Sequence, residues 1–445
     1  MFNWVTNLTP TGDYSAPREN IKLDLNESLF DEVLSPVNLK KAWQRVRANK
    51  GVAGVDGITI EQFLDWSQQH WKQVKIDLEN GAYRPQPVKR VEIDKPDGGK
   101  RLLGIPTVLD RVIQQAIVQV LGPILDPTFS NHSYGFRPNR NAAQAIKEVN
   151  DNIKQNRKIA VDVDLSKFFD RVNHDLLMTK LGFTIKDKRV MKLIGRYLRA
   201  GIMQGKQRKP SKEGVPQGGP LSPLLSNVLL DSLDRELESR GHKFTRYADD
   251  FIILVKSTRA GKRVLNSISR YLNTRLKLMV NTEKSQVVKV NQSQFLGFAF
   301  LRGKVKWHAK SLKKFKQKVR ELTNRNWGVS MSYQLFKLTQ YLRGWINYYG
   351  IANVYQQCMD LDNWIRRRVR MCYWRQWRKP RTKVTRLLKL GVSTSWAITC
   401  GSTRKGPWRS SKTPGIQQAL SNNFLKEEGL FSLRDGWIKV HYPNG

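Results

Sequence analysis

Phe244-Thr245-Arg246-Tyr247-Ala248-Asp249-Asp250-Phe251-Ile252-Ile253-Leu254-Val255 reads as strand, tight turn and strand, with two adjacent carboxylates at the tip. Asp is common in turns, so this stretch alone fits an ordinary hairpin equally well. A second segment shifts that balance. Val161-Asp162-Val163-Asp164-Leu165 alternates as a strand does, so Asp162 and Asp164 share one face while Val161, Val163 and Leu165 face the core. Like charges about 4 Å apart cost on the order of 4 kcal/mol at an effective dielectric of about 20, and such clusters persist where divalent cations neutralise them. Carboxylate oxygens suit Mg²⁺, and two such ions roughly 4 Å apart activate a hydroxyl and stabilise a leaving pyrophosphate.

Composition points to the same class of partner. A chain of 445 residues predicts two to four domains, and its 40% hydrophobic and 10% aromatic content is that of a folded protein. The net charge is +41, which repels itself unless a polyanion, usually nucleic acid, is present. From Leu301 onward 30 Lys/Arg face 6 Asp/Glu, so this last third carries +24 of the charge, together with nine of the thirteen tryptophans. Within Trp364–Lys383 lie seven Arg and two Lys with no acid, and Arg366 and Arg370 share a helix face suited to phosphates, with Arg367 and Arg378 nearby. Trp374 and Trp377 read as core anchors or stacking platforms, Trp345 and Trp364 as core. Cys358, Cys372 and Cys400 form no CxxC pair, so a reduced, cytoplasmic setting without zinc is expected. The N-terminus lacks a signal-peptide pattern, and no run of about 18 apolar residues suggests a membrane span.

Along the chain, residues 1 to about 35 read as a polar, loosely ordered leader. A helix is predicted from near Val37 to Asn49, with Leu39, Ala42, Trp43 and Val46 on one face, ended by the glycine-rich loop 49–57. Residues 88–106 read as a basic hairpin turning at Asp97-Gly98-Gly99, followed by a helix from Asp110. Ser222 and Pro223 read as N-cap and first turn of a helix whose Leu224, Leu225, Val228, Leu229 and Leu233 face the core.

YADD (247–250), DVDLSKFFDRVNHDLL (162–177), SYGFRPNRNAAQAI (133–146) and VPQGGPLSPLLSNVLLDSLDREL (215–237), in this order, resemble group II intron-encoded reverse transcriptases. The chain looks most like the compact class C branch, without the zinc-dependent nuclease many relatives append. The resemblance implies an α+β right-hand polymerase, fingers and palm, with an α-helical thumb and a small basic C-terminal domain. It divides the chain into an extension (1–37), fingers and palm (38–303), thumb or maturase domain (304–385) and a DNA-binding domain (386–445).

The same resemblance makes Asp164, Asp249 and Asp250 the ligands of two Mg²⁺ ions, with Mn²⁺ as a substitute. Phe169, five residues after Asp164, would exclude a 2′-hydroxyl, although a core aromatic reads equally from the residues. Gln217 and its glycines would line the nucleotide pocket, letting the base or template come close. Lys89 and Lys95 would meet the triphosphate, and Arg137 the template or nucleotide. Lys284 matches a proposed general acid, or is a surface lysine. Leu296 and Gly297 match a primer-grip turn, and Gly51 and Gly54 a lid over template and primer. Arg404, Lys405 and Arg409 form the most basic part of the DNA-binding segment. Implied partners are intron RNA, an RNA template with a DNA or RNA primer, target DNA and deoxynucleotides, with no membrane. The implied place is the bacterial cytoplasm, at the nucleoid during retrohoming. The rival readings are a splicing maturase with an idle polymerase site and a domesticated enzyme of repair or defence.

Overall fold

The computed structural model describes residues 28–94, 99–205 and 207–443. These fall into two compact units, one holding the described residues to Asn152 with Asn156–Val288, the other Ile153–Gln155 with those from Lys289 on. The strands are β1 (Val88–Asp94), β2 (Lys100–Ile105), β3 (Ile159–Val163), β4 (Ile202–Gln204), β5 (Gln207–Lys209), β6 (Lys243–Tyr247), β7 (Asp250–Val255), β8 (Gln286–Lys289), β9 (Phe298–Leu301) and β10 (Lys304–Trp307).

In the first unit β1 and β2 form the expected antiparallel hairpin, extended by β4 and β5 into a sheet of order β2-β1-β4-β5. The second sheet, β6-β7-β3-β8, is the scaffold of the acidic residues. Its central strands are nearly all apolar because both faces are covered: Val161, Ile253 and Leu254 are fully buried, and the helix Thr258–Arg275 packs on β3 and β7. The helix Pro36–Ala48 forms where 3.6-residue spacing predicts it, burying Leu39, Ala42, Trp43 and Val46, with Ser35 Oγ capping Asn38 N.

Local readings are corrected at several points. The end of the supposed leader is not loose, since Leu29–Val33 is a helix whose Leu29, Phe30 and Val33 are buried and whose Phe30 N donates to Asp187. The helix Val108–Leu125 starts before Asp110, because Thr107 is its cap. The stretch Val108–Thr128 is by length and mean composition apolar enough to cross a membrane, yet Val112, Ile113, Ala116 and Ile117 are buried in the protein core. Ser222 does not cap its helix; its hydroxyl donates to the Pro216 carbonyl, 2.6 Å away.

The second unit joins the β9–β10 hairpin to the helices Ala309–Leu322, Met331–Tyr349 and Tyr355–Gln376. The break expected near residue 303 falls after Val288 because this hairpin packs here: Trp307 donates to Tyr349 O at 2.9 Å and meets Trp345 edge-on. The residues after 385 do not separate either. Asp362 accepts from Leu433 N, Arg434 N and Ser432 Oγ at the start of the helix Leu433–His441, and Arg370 Nε donates to Leu420 O. Trp345 and Trp374 are core, whereas Trp364 is half-buried beside the guanidinium groups of Arg320 and Arg368.

Candidate active site

The β6–β7 register pairs Tyr247 with Asp250, leaving Ala248 and Asp249 as a two-residue turn. Such turns need a left-handed residue, and Ala248 takes that role at φ 60°, a strain of order 1–3 kcal/mol. The surrounding structure holds it there. Arg246, fully buried with Asp234, donates to both carboxylate oxygens and, through Nη1, to Asn227 Oδ1 and Ala248 O, each 2.9 Å away. Asn227 in turn donates to Gly135 O, and a methyl group on Gly135 would come within 2.2 Å of Ala248 N.

β3 runs antiparallel to β7 with Val163 opposite Phe251, so Asp164 follows the last pair of the ladder at the sheet end that carries the Asp249-Asp250 turn. The end of β3 is fixed from the other side, where Asp164 N donates to Ser285 Oγ and Asn281 N to Asp164 O. Burial pushes the Asp249 carboxyl up, and the Asp164 charge adds to this while Arg101 and Arg246 oppose it. Asp164 and Asp250 are exposed; Asp162 is half-buried beside Gln286 and is pushed up to about 6 by burial. Among the described residues no three acid, His or Cys side chains are gathered into a ligand cage as they stand. The donor set of Asp164, Asp249 and Asp250, all oxygen and all on one sheet end, nevertheless fits a hard divalent cation.

Asp249 lines a cleft of about 700 Å³ with Phe169, Gln217, Gly218, Arg101 and Gly51. Phe169 stands on a short turn after Lys167, itself left-handed at φ 48°; Phe168 is buried core, and Phe169 meets it edge-on while half-exposed. The Gln217 carbonyl accepts from Gly104 N at 2.7 Å, joining the QGGP loop to β2. The glycines of that loop answer to protein rather than to template. A methyl group on Gly218 would sit 2.7 Å from Gly104 O, and one on Gly219 2.5 Å from Gln114 Oε1.

Other predicted residues lie elsewhere. Arg137 is turned inward, spending its guanidinium on Asp126 and on the carbonyls of Ser130 and Ser133, so it does not face template or nucleotide. Gly54 is buried against Thr107, where a methyl group would meet backbone at 2.6 Å, and Arg111 Nη2 pins the same loop through Val52 O. That explains the glycine without a lid. Lys89 is exposed on β1; the hairpin cation lining the cleft is Arg101, and Arg90 lies 3.9 Å from Asp170 in an adjoining cavity. Lys95 lies outside the described residues. Lys284 is exposed in the turn held by Asn281, next to the Ser285 that bonds Asp164. Sequence reasoning missed Arg101 and Phe136, an exposed aromatic on the cleft. The basic pair Lys100-Arg101 after the hairpin turn was the available signal for the first.

In the second unit Leu296 and Gly297 both have positive φ, forming a two-residue turn between Phe295 and Phe298. Gly297 is needed there because a methyl group would lie 2.5 Å from the Tyr349 hydroxyl. Arg370 is buried on Leu420 O and Asn422, and so does not reach phosphates; Arg367 stacks 3.6 Å over Trp408. Arg366 is half-buried beside Asn363, whereas Arg378, Arg404, Lys405 and Arg409 are exposed.

Residues 93–300 match the reverse transcriptase (RNA-dependent DNA polymerase) family, and residues 312–391 match the group II intron, maturase-specific domain. Protein YkfC of Escherichia coli (strain K12) is 32% identical over 62% of this chain and 82% of that protein. The group II intron-encoded protein LtrA of Lactococcus lactis subsp. cremoris is 34% identical over 61% of this chain, which spans 44% of that relative's length. Among solved structures, a telomerase from Candida tropicalis in complex with a TWJ fragment of telomeric RNA is 14% identical with a TM-score of 0.42, over 84% of this chain and 67% of that chain.

Proposed function

This chain belongs to the group II intron-encoded reverse transcriptases and maturases, and from that premise we propose that it copies RNA into DNA and separately grips its intron RNA to assist splicing and retrohoming. The observation that carries the polymerase reading is Asp164, one residue past the Val163–Phe251 pair at the end of β3, whose charge acts on an Asp249 that lines a cleft large enough for a nucleotide. Asp164, Asp249 and Asp250 would hold Mg²⁺, which when bound polarises phosphoryl oxygens and activates the attacking hydroxyl.

The side chains around them supply the rest. Arg101, a planar fork of donors, suits triphosphate oxygens better than a lysine would. Phe169, lining the cleft, would exclude a 2′-hydroxyl from the sugar, and Gln217 would line the nucleotide pocket from the loop tied to β2. Lys284, exposed and next to the Ser285 that bonds Asp164, would give a proton to departing pyrophosphate. Arg378, Arg404, Lys405 and Arg409 leave guanidinium and ammonium groups open to RNA or target DNA.

Primer extension with purified protein on poly(rA)–oligo(dT) tests this. Synthesis that requires Mg²⁺ supports the reading. Tight intron RNA binding without any synthesis would leave a maturase whose polymerase site is idle.

A further inference from the structure

The second unit contains a cleft that the polymerase chemistry does not use. It measures about 540 Å³ and is lined by the loop Asn324–Ser330, with Arg325 and Trp327, and by Arg375 and Arg378 near the end of the helix Tyr355–Gln376. Three guanidinium groups thus border one small space. Among the described residues none of the three is paired with an acid, in contrast to Lys318–Glu321 and Arg434–Asp435 of the same unit. A cleft lined by one sign of charge concentrates counter-ions, so this one attracts an anion.

The loop is built rather than slack. Trp327 N donates to Asn324 O and Asn326 N to Asn324 Oδ1, while Gly328 turns the chain at φ 80°. Gln376 ties the loop to the long helix through Val329 O at 2.9 Å, and Gln334 ties its start through Asn324 O at 3.5 Å. The Trp327 ring is thereby held partly exposed, with the exposed ring of Tyr333 beside it.

We propose that this cleft binds one unpaired nucleotide of a polynucleotide strand, its phosphates on Arg325, Arg375 and Arg378 and its base against Trp327. This deepens the RNA-gripping half of the proposed function and rests on it. A lone phosphate would leave most of the volume and the indole unused, whereas a paired base hides its face in the helical stack. Guanidinium forks meet phosphate bidentately, and an indole stacks on any base, so the cleft selects single strands without reading sequence.

The test uses the full chain with fluorescein-labelled oligo(rU), oligo(dT) and a blunt RNA duplex. The double variant Arg325→Ala/Arg375→Ala is expected to weaken oligo(rU) binding about tenfold or more. It should also flatten the salt dependence by about 0.7 in log–log slope per lost phosphate, with duplex binding changed less than about twofold. Trp327→Ala should weaken oligo(rU) binding and Trp327→Phe restore it, which separates stacking from misfolding. Oligo(dT) behaving like oligo(rU) assigns the cleft to single strands of either sugar, and weaker oligo(dT) binding assigns it to RNA; both support the proposal. Equal losses on duplex and single strand, or none on either while the wild type binds well, overturn the cleft and leave the wider RNA reading intact. A wild-type chain that binds no oligo(rU) overturns both.

Discussion

Arg246 donates through Nη1 to the carbonyl of Ala248, 2.9 Å away, from a guanidinium fully buried against Asp234. A residue of the strand that leads into the acidic turn is thus also the one that holds its strained alanine. Asp234→Ala should destabilise the fold by about 3–5 kcal/mol, since it strands a buried charge. Asn227→Ala removes only one acceptor and one donor and should cost about 1–3 kcal/mol. Because the turn then loosens, its primer-extension rate should drop at least about tenfold with template affinity unchanged. Urea midpoints and single-turnover rates check this, and a fully active Asn227→Ala would remove Arg246 from the list of positioning residues.

Gly135→Ala should act on the same turn from outside. Its methyl group must displace Ala248 N from 2.2 Å, so Asp249 moves. An ångström of misplacement can cost about 10²-fold in rate. Single-nucleotide incorporation measures it; an unimpaired rate would mean that the SYGF loop, not the turn, gives way.

Asp249→Ala should lower DNA synthesis by at least about 10²-fold and leave intron RNA binding intact. Filter binding beside primer extension reads both activities on one preparation. Joint loss of the two would contradict the separation of tasks between the units.

Phe169→Ala should relax sugar selection by about tenfold or more, because the ring borders the cleft beside Asp249 and Gln217. Competing ribo- and deoxynucleotide incorporation decides the matter. Undiminished rejection of ribonucleotides would reduce Phe169 to a packing partner of Phe168.

Asp110 predicts a pH signature in stability. It is fully buried, accepting from the Tyr83 and Thr107 hydroxyls, and burial raises its pKa to about 6 despite those bonds. The folded state therefore holds a proton that the unfolded chain releases near its ordinary value. This contribution is complete below about pH 4 and is lost as pH rises through about 6, at most about 3 kcal/mol. Asp110→Asn should thus gain stability relative to wild type between about pH 4.5 and 7, as urea midpoints would register. A constant difference across that range would show that the hydrogen bonds, not burial, set the titration.

What the sequence determined by itself was local or additive. Two-residue alternation drew β3 and the 244–255 hairpin, 3.6-residue spacing drew the helix Pro36–Ala48, and summed charge marked the basic last third. Only the tertiary structure decided which of many identical side chains face outward. Arg137, Arg246 and Arg370 look no different from Arg101 in one dimension, yet the first three turn inward because Asp126, Asp234 and Leu420 O await them. Among the described residues no hydrogen bond claims the Arg101 guanidinium, which lines the cleft. The bringing of Asp164 to the sheet end that carries the Asp249-Asp250 turn belongs to the fold as well, since it follows from a strand register between segments more than 80 residues apart. Charge and periodicity are properties of the chain; satisfaction of a buried donor is a property of its neighbours.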